Sequence, residues 1–324
     1  TNIGEMKGEG LDVSINGDVL RGGRDGVTLN LFGNAAYLTE EVTDLGGSAP
    51  IKSGGSYPRN RNFIREGFAP GAFFGARLQD VPIPLDVAGT CTQPTESEAL
   101  AYFSQPRSPD DFEVLPVDCG TAGFLDQFLG KPTPDWSGSV GADLGFLRHF
   151  SLRTLFEYKA GNFQHQDLSG AFRQSNAVIG RNTPETARID ATLRNPASSA
   201  QERLDAAIDW ARNYRALAPM SGLNQIWDAD YIRWRELSLS YDAPSSFANR
   251  LSLDNLSITF RARNLALLVN DEYRGLDPEL NNNSRCDAGA LSGQNSIDCN
   301  FLQGQEAWRL PIPRRFSLGI RAGF

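Results

Sequence analysis

Apolar and polar residues alternate along seven separated stretches of this chain, with the period of two that marks a β-strand whose faces meet different surroundings. In the first, Leu11, Val13, Ile15, Gly17 and Val19 share one face, and Asp12, Ser14, Asn16 and Asp18 the other. The second sets Val27, Leu29, Leu31, Ala35 and Tyr37 against Thr28, Asn30 and Asn34. Next, Trp136, Val140, Ala142, Leu144 and Phe146 oppose Ser137, Ser139, Gly141, Asp143 and Gly145. Phe150, Leu152, Phe156 and Tyr158 then oppose Ser151, Arg153, Glu157 and Lys159. Leu237, Leu239 and Tyr241 face away from Glu236, Ser238 and Ser240; Leu256, Ile258, Phe260 and Ala262 face away from Ser257, Thr259, Arg261 and Arg263. The last stretch sets Phe316, Leu318, Ile320, Ala322 and Phe324 against Ser317, Gly319, Arg321 and Gly323.

A soluble sandwich also alternates. Two features favour a barrel in a membrane. Full charges recur on the polar faces, as a water-filled lumen permits, and the connections alternate in length. Arg21 to Gly26, Leu147 to His149 and Ala243 to Asp254 are short; Ile51 to Asp135, Gly161 to Asp230 and Asn270 to Pro313 are long. Short turns on one side and long loops on the other is the outer-membrane arrangement. The expectation is an all-β, antiparallel transmembrane β-barrel with about seven membrane strands, long extracellular loops and one loop helix. The final strand reads as its closing strand, with Phe316, Leu318, Ile320 and Phe324 as an assembly signal for the outer-membrane barrel assembly machinery.

Inside the second gap, Gly71 to Leu78 reads as extended and is placed in an outer loop with a pairing partner nearby. Ser199 to Leu217 is the one clear helix. Ser199 and Glu202 form a capping box, and Leu204, Ala207, Ile208 and Ala211 make an apolar stripe suited to packing on loop structure.

Composition changes this picture little. A net charge of −8 with pI near 5.0, and no basic cluster, argues against nucleic acid. There is no apolar run of about 18 residues, which excludes a helical span but not barrel strands, whose mean hydropathy stays low, −0.35 here. The first residue is Thr and the chain runs at once into a strand, so it reads as the C-terminal piece of something longer. Four cysteines fall as Cys91/Cys119 and Cys286/Cys299 in polar loops without metal-ligand spacing, and are expected to form two disulfides.

Catalytic motifs are missing: no Gly-x-Ser-x-Gly elbow, phosphate-cradling Gly loop or His-Glu-x-x-His helix occurs. Asp110/Asp111 and Asp277/Glu279 are paired carboxylates of the kind a glycosidase uses, but they lie in loops where solvated charge is the expected state. Asp277, Glu279 and Asn281 to Asn283 gather oxygen ligands without EF-hand spacing, and read as a turn cluster rather than a Ca²⁺ site. Neither a metal nor a cofactor is expected.

Six pieces of sequence, in order, resemble the C-terminal barrel region of SusC/RagA-type TonB-linked outer-membrane proteins. Asn2-Ile-Gly-Glu-Met-Lys-Gly-Glu-Gly-Leu-Asp-Val-Ser-Ile15 resembles that family's N-x-G-E-x-x-x-x-G strand. Glu66-Gly-Phe-Ala-Pro-Gly-Ala-Phe-Phe-Gly75 is similar to E-G-Y-P-x-G-S-F-Y-G, and Gly130-Lys-Pro-Thr-Pro-Asp-Trp136 with His149-Phe-Ser-Leu152 to G-x-P-x-P-x-W and F-x-L. Asp230-Tyr-Ile-Arg-Trp-Arg-Glu-Leu-Ser-Leu-Ser-Tyr241 resembles Y-L-R-L-R-N-x-S-L-S-Y. Arg263-Asn-Leu265 with Gly275-Leu-Asp-Pro-Glu279, and Pro311-Ile-Pro-Arg-Arg-Phe-Ser-Leu-Gly319, resemble G-Q-N-L…G-x-D-P-E and P-x-P-R-T-F-S-x-G. The family's acidic D-x-N-G-D-G stretch is replaced by Asp110-Asp-Phe-Glu113 and Asp118-Cys-Gly-Thr121, so no metal role carries over there.

The resemblance implies uptake of a bulky nutrient, a glycan or an oligopeptide, across the outer membrane of a Gram-negative bacterium. Implied partners are a SusD-like surface lipoprotein, the TonB complex acting through a plug outside this chain, and the lipid bilayer. In that setting Asp12, Asp18, Asp143, Arg153, Glu157, Glu236, Arg261, Arg263 and Arg321 face the lumen, mostly as plug and wall contacts. Trp227, Trp234 and Trp308 sit near loop–strand junctions as girdle or loop packing, with sugar stacking the alternative, and Trp136 opens a strand as girdle. The competing reading is a soluble or surface-attached β-sandwich that binds glycan without transport; a secreted hydrolase stands third.

Overall fold

The computed structural model describes residues 4–22, 26–53, 61–77, 79, 81–87, 89–114, 120, 122–123, 126–174, 182–213, 225–271, 273–281, 303–306 and 309–324. All seven alternating stretches join one antiparallel sheet. Its strands are β1 (Glu5–Arg21), β2 (Thr28–Asp44), β3 (Trp136–Phe146), β4 (Phe150–Ala160), β5 (Tyr231–Asp242), β6 (Asn255–Val269) and β7 (Arg315–Gly323). Each pairs with its neighbours in chain order. The outer two, β1 and β7, have one partner each, so the sheet among the described residues is open rather than a closed barrel.

The register turns the sequence alternation into two dissimilar faces. One row across the sheet reads Asp18, Asn30, Asp143, Arg153, Ser238, Arg261, Ser317. The adjoining row reads Leu20, Leu29, Leu144, Leu152, Leu239, Phe260, Leu318. A slip of one residue in any strand would carry a polar side chain into the apolar row, which is why the pattern specifies the register so firmly. The β3–β4 hairpin closes through Leu147 and Arg148, with φ of 50° and 61°, the handedness that matches strand twist. The three short connections lie at this end of the sheet and the three long ones at the other.

The apolar face carries no second layer among the described residues. Val140 is 55% exposed, Leu239 39% and Leu318 67%. Aromatic rings collect toward both of its ends. Phe150 stacks on Phe146 at 5.5 Å and meets Tyr241 at 4.9 Å near the short turns, while Tyr37 meets Trp136 at 4.8 Å toward the long loops.

Most buried apolar residues sit in the long connections instead. Helices α1 (Glu96–Tyr102), α3 (Pro184–Arg194) and α4 (Ala200–Asn213) pack Ala99, Phe103, Phe112, Ile189, Leu193, Leu204 and Ala207 together; α2 (Leu168–Gln174) lies apart from them in the chain. The single expected helix is thus one of several. Ser199 caps α4 as its sequence predicts, its Oγ accepting from Glu202 N at 3.2 Å. The additional helices carry equally plain signals: Thr95 with Glu98, and Thr183 followed by Pro184, both form capping boxes. Their apolar stripes are too short to register as a period. Arg203 is fully buried and donates to the carbonyls of Phe103, Ser104, Asn195 and Pro196 at 2.9–3.2 Å, tying α4 to the ends of α1 and α3.

The extended segment expected within Gly71 to Leu78 is Ala72–Gly75, paired on both sides in a four-stranded sheet with Ile51–Lys52, Asn62–Ile64 and Gln127–Gly130. No described helix is long and apolar enough to cross a membrane. Cys91 is disulfide-bonded; Cys119, Cys286 and Cys299 lie outside the described residues, so neither expected pairing is established.

Candidate functional site

The densest chemistry on the polar face begins with a flaw in the alternation. Along β5 the pairing with β4 slips: Glu236 lies opposite Leu155 and Trp234 opposite Phe156, leaving Arg235 as an extra residue. The bulge reverses the parity of everything before it. Arg233 and Tyr231 therefore join Glu236 on the polar face, and Trp234 and Ile232 move to the apolar one. Trp234 is accordingly no loop aromatic. It lies inside the strand, stacked on Phe156 at 5.5 Å, with its indole N–H donating to Thr154 Oγ1 at 2.9 Å.

The loop from Gly275 folds back onto these arginines. Arg233 Nη2 meets Asp277 Oδ1 at 2.5 Å, and both side chains are almost wholly buried, 3% and 2% exposed. Arg233 Nε lies 2.9 Å from Glu279 Oε2. Arg235 bridges Glu279 and Glu157, at 2.5 Å each. Tyr231 donates its hydroxyl to Glu279 Oε1 at 2.6 Å. Backbone amides complete the shell: Glu279 N and Ile312 N donate to Asp277 at 3.1 and 3.3 Å.

The expectation of solvated charge at Asp277 and Glu279 is therefore overturned. Two guanidiniums thrown to one side by a bulge take both carboxylates out of water. Burial pushes the Glu279 carboxyl up, but the hydrogen bonds from Arg235 and Tyr231, with both guanidinium charges, outweigh it and hold it below the usual range. The clue in the sequence was the doublet Arg235-Glu236, two adjacent charges interrupting a strict alternation.

The far side of the loop rests on three short strands, Gln164–Asp167, Ile226–Asp228 and Gln305–Glu306. Glu306 accepts the amides of Leu276, at 2.9 and 3.0 Å, and Asp277, at 3.2 Å. Burial, with Asp167 and Asp277 adding negative charge, pushes its carboxyl up to about 7 despite those amides. His165 Nε2 donates to Leu280 O at 2.7 Å, since a carbonyl only accepts, while Nδ1 is buried without a partner. Burial lowers this imidazole to about 4. Trp227 sits opposite His165 in the short sheet, half-buried, and Trp308 lies outside the described residues.

All nine charged positions singled out from the sequence occupy the polar face. Arg153 pairs with Asp143 at 2.9 Å, and Asp18 with Arg21 at 3.1 Å while also accepting from Asn30 at 3.0 Å. Glu236 serves Arg263 at 3.2 Å and Arg261 at 4.0 Å. Glu157 alone of the nine enters the braced cluster; Asp12, opposite Ala36, and Arg321, opposite Ser257, stand apart from it. Beside the cluster a hollow of about 260 Å³ is lined by Asn34, Ser139, Glu157, Lys159, Tyr231 and Glu279. Its groups can donate and accept hydrogen bonds to a polar solute. Among the described residues no three His, Cys, Asp or Glu side chains cluster as a metal site would require.

The architecture so defined is a mostly β, antiparallel structure with few helices, matching the fold of RagA-type transporters. The structure of the RagAB peptide transporter superposes with a TM-score of 0.62 at 16% identity, over 100% of this chain and 30% of that one. The RagAB peptide importer in its closed-closed state gives 0.58 at 15% identity, over 100% and 30%. In sequence, TonB-dependent receptor P3 of Formosa agariphila is 23% identical over 336 residues, spanning 100% of this chain and 29% of the relative. No protein-family profile matches. The resemblance to SusC/RagA-type TonB-linked outer-membrane proteins thus holds along the whole chain, which spans under a third of the length of these relatives.

Proposed function

We propose that this chain forms wall, lumen and outer loops of a TonB-dependent importer in the outer membrane of a Gram-negative bacterium. It takes up a bulky nutrient, a glycan or an oligopeptide, together with a SusD-like surface lipoprotein. The observation that carries this reading is the apolar face itself, seven strands wide, exposed, and uncovered among the described residues. Monomeric soluble proteins rarely leave so large an apolar surface to water. A sandwich would have to lay a second sheet over it, and the buried apolar clusters lie elsewhere. From Phe150 to Tyr158, β4 runs for nine residues between aromatic ends, within the roughly 9–11 that a tilted membrane strand needs.

On this reading the polar face is the wet side. The nine charges line the lumen, the braced loop fixes the wall near the outer loops, and energy reaches the solute path through TonB and a plug. The relatives' descriptions support import, one as a TonB-dependent receptor and two as peptide transporters.

The test places single nitroxides on the intact protein in outer membranes. Labels at Val140, Leu239 and Leu318 should collide with oxygen far more than with a water-soluble nickel chelate, and labels at Ser139, Ser238 and Ser317 should show the reverse. Equal accessibility on the two faces would refute the membrane wall. Co-purification with a surface lipoprotein tests the partner.

A further inference from the structure

Where β6 meets β7, the polar face holds a cavity of about 500 Å³ lined by Arg261, Arg263, Arg314, Arg315 and Ser317, with Phe316 at its margin. Arg263 and Arg315 stand directly opposite each other in the register. Like charges so placed repel, whereas on the neighbouring strands Arg153 faces Asp143 at 2.9 Å. Among the described residues only Glu236 answers the four guanidiniums, shared between Arg263 and Arg261 at 3.2 and 4.0 Å. Among the described residues, no carboxylate comes within ion-pair distance of Arg314 or Arg315. Four guanidiniums against one carboxylate leave the described lining with an excess of three positive charges, in a chain whose net charge is −8.

The backbone that carries these guanidiniums is held in place. Arg261, Arg263 and Arg315 project from paired strands, and Asn264 Nδ2 donates to Pro313 O at 3.2 Å just before Arg314. Pro311 and Pro313 restrict the backbone leading in. Planar guanidinium forks with unspent donors match carboxylate, sulfate or phosphate oxygens in pairs.

We propose that this cavity is an anion subsite, holding an acidic group of the solute: a carboxylate, sulfate ester or phosphate ester. The inference rests on the polar face being the wet side and adds to it that the nutrient is acidic.

The probe is 8-hydroxypyrene-1,3,6-trisulfonate, followed by fluorescence anisotropy on the intact protein purified in detergent. Binding should weaken with added salt and be displaced by tripolyphosphate or citrate but not by neutral maltotriose. Arg315→Gln should weaken it about tenfold, as expected on losing a charged hydrogen-bond pair. Arg315→Glu should abolish it while thermal stability holds or rises, because the new carboxylate faces Arg263. Retained binding in Arg315→Glu would overturn the proposal. So would loss of the probe in nanodiscs containing phosphatidylglycerol but not in phosphatidylcholine ones, which would give the site to a lipid phosphate. Opposite-face nitroxide behaviour with no effect of Arg315→Glu defeats the anion subsite alone. Equal nitroxide accessibility with probe binding intact defeats only the membrane wall.

Discussion

Replacing Asp277 by Asn keeps the shape of the loop and removes one charge from the most deeply buried ion pair on the polar face. Arg233 and Asp277 are 2.5 Å apart and almost wholly buried, so the substitution strands a guanidinium that water cannot reach. Breaking a buried pair from one side costs about 3–5 kcal/mol. Glu279 Oε2, 2.9 Å from Arg233 Nε, takes up part of the charge, which places the effect near the lower end, about 3 kcal/mol. A wall of seven paired strands will not unfold for that, so the loss should appear as local opening of the loop. At about 1.4 kcal/mol per tenfold, the amides of Leu276 and Leu280 should exchange their hydrogens about a hundredfold faster. Both are hydrogen-bonded within the braced loop, Leu276 to Glu306 at 2.9 Å and Leu280 to Asp277 O at 3.0 Å. Hydrogen exchange read by mass spectrometry over this segment measures it, with Arg263→Gln as a control elsewhere on the same face. The double variant Arg233→Met with Asp277→Leu should exchange much more slowly than Asp277→Asn, since no charge is then left unpaired. An acceleration under about fivefold, or one equal to the control's, would refute the claim that this pair holds the loop.

The same segment should respond to pH. Glu306 is raised from 4.5 to about 7, so its contribution to folding is complete below 4.5 and lost as pH rises through 7. His165, lowered from 6.5 to about 4, contributes in full above 6.5 and loses it as pH falls toward 4. Relative to Glu306→Gln, intrinsic-rate-corrected protection of Leu276 in the parent should therefore fall as pH rises from about 4.5 to 7 and level off above; a difference that does not change with pH sinks the assignment. Leu239→Arg, in the centre of the apolar row, should cost about 2–4 kcal/mol and cut the heat-modifiable fraction in outer membranes, whereas Ser238→Arg on the other face should not. Arg203→Met removes a buried cation serving four carbonyls and should open the helical cluster to protease at Asn195–Ser199, with the sheet left intact; unchanged cleavage would mean the carbonyls find other donors.

The wall was legible because a sheet with unlike faces must write its register into every second residue. Leu29, Leu144, Leu152, Leu239 and Phe260 could be assigned to one face from sequence and fall in one row. The braced cluster was not legible, for a physical reason. Its arginines depend on a bulge, a backbone event that changes parity without changing composition, and its carboxylates lie more than forty positions further on, Asp277 from Arg233. Trp234 reaches the apolar face by the same change of parity. The short helices escaped because α1 has a single fully buried residue, Ala99, and its cap alone announces it. Burial of Asp277 and Glu279 could not be foreseen, since a Pro- and Asn-rich loop ordinarily keeps its charges in water.

The register of β1 to β7, interrupted at a few bulges, also constrains how such a chain can change over generations. Within a strand, losing or gaining a single residue would exchange the two faces from that point onward, whereas a pair of residues would lengthen or shorten the strand and leave each face as it was. Length variation among relatives should therefore come in even steps inside the strands and without parity in the long connections. Arg235 is an odd insertion in this sense, and it survives where the face exchange it causes is put to use. Comparing strand lengths across diverged relatives would show whether other odd steps also coincide with a folded-back loop.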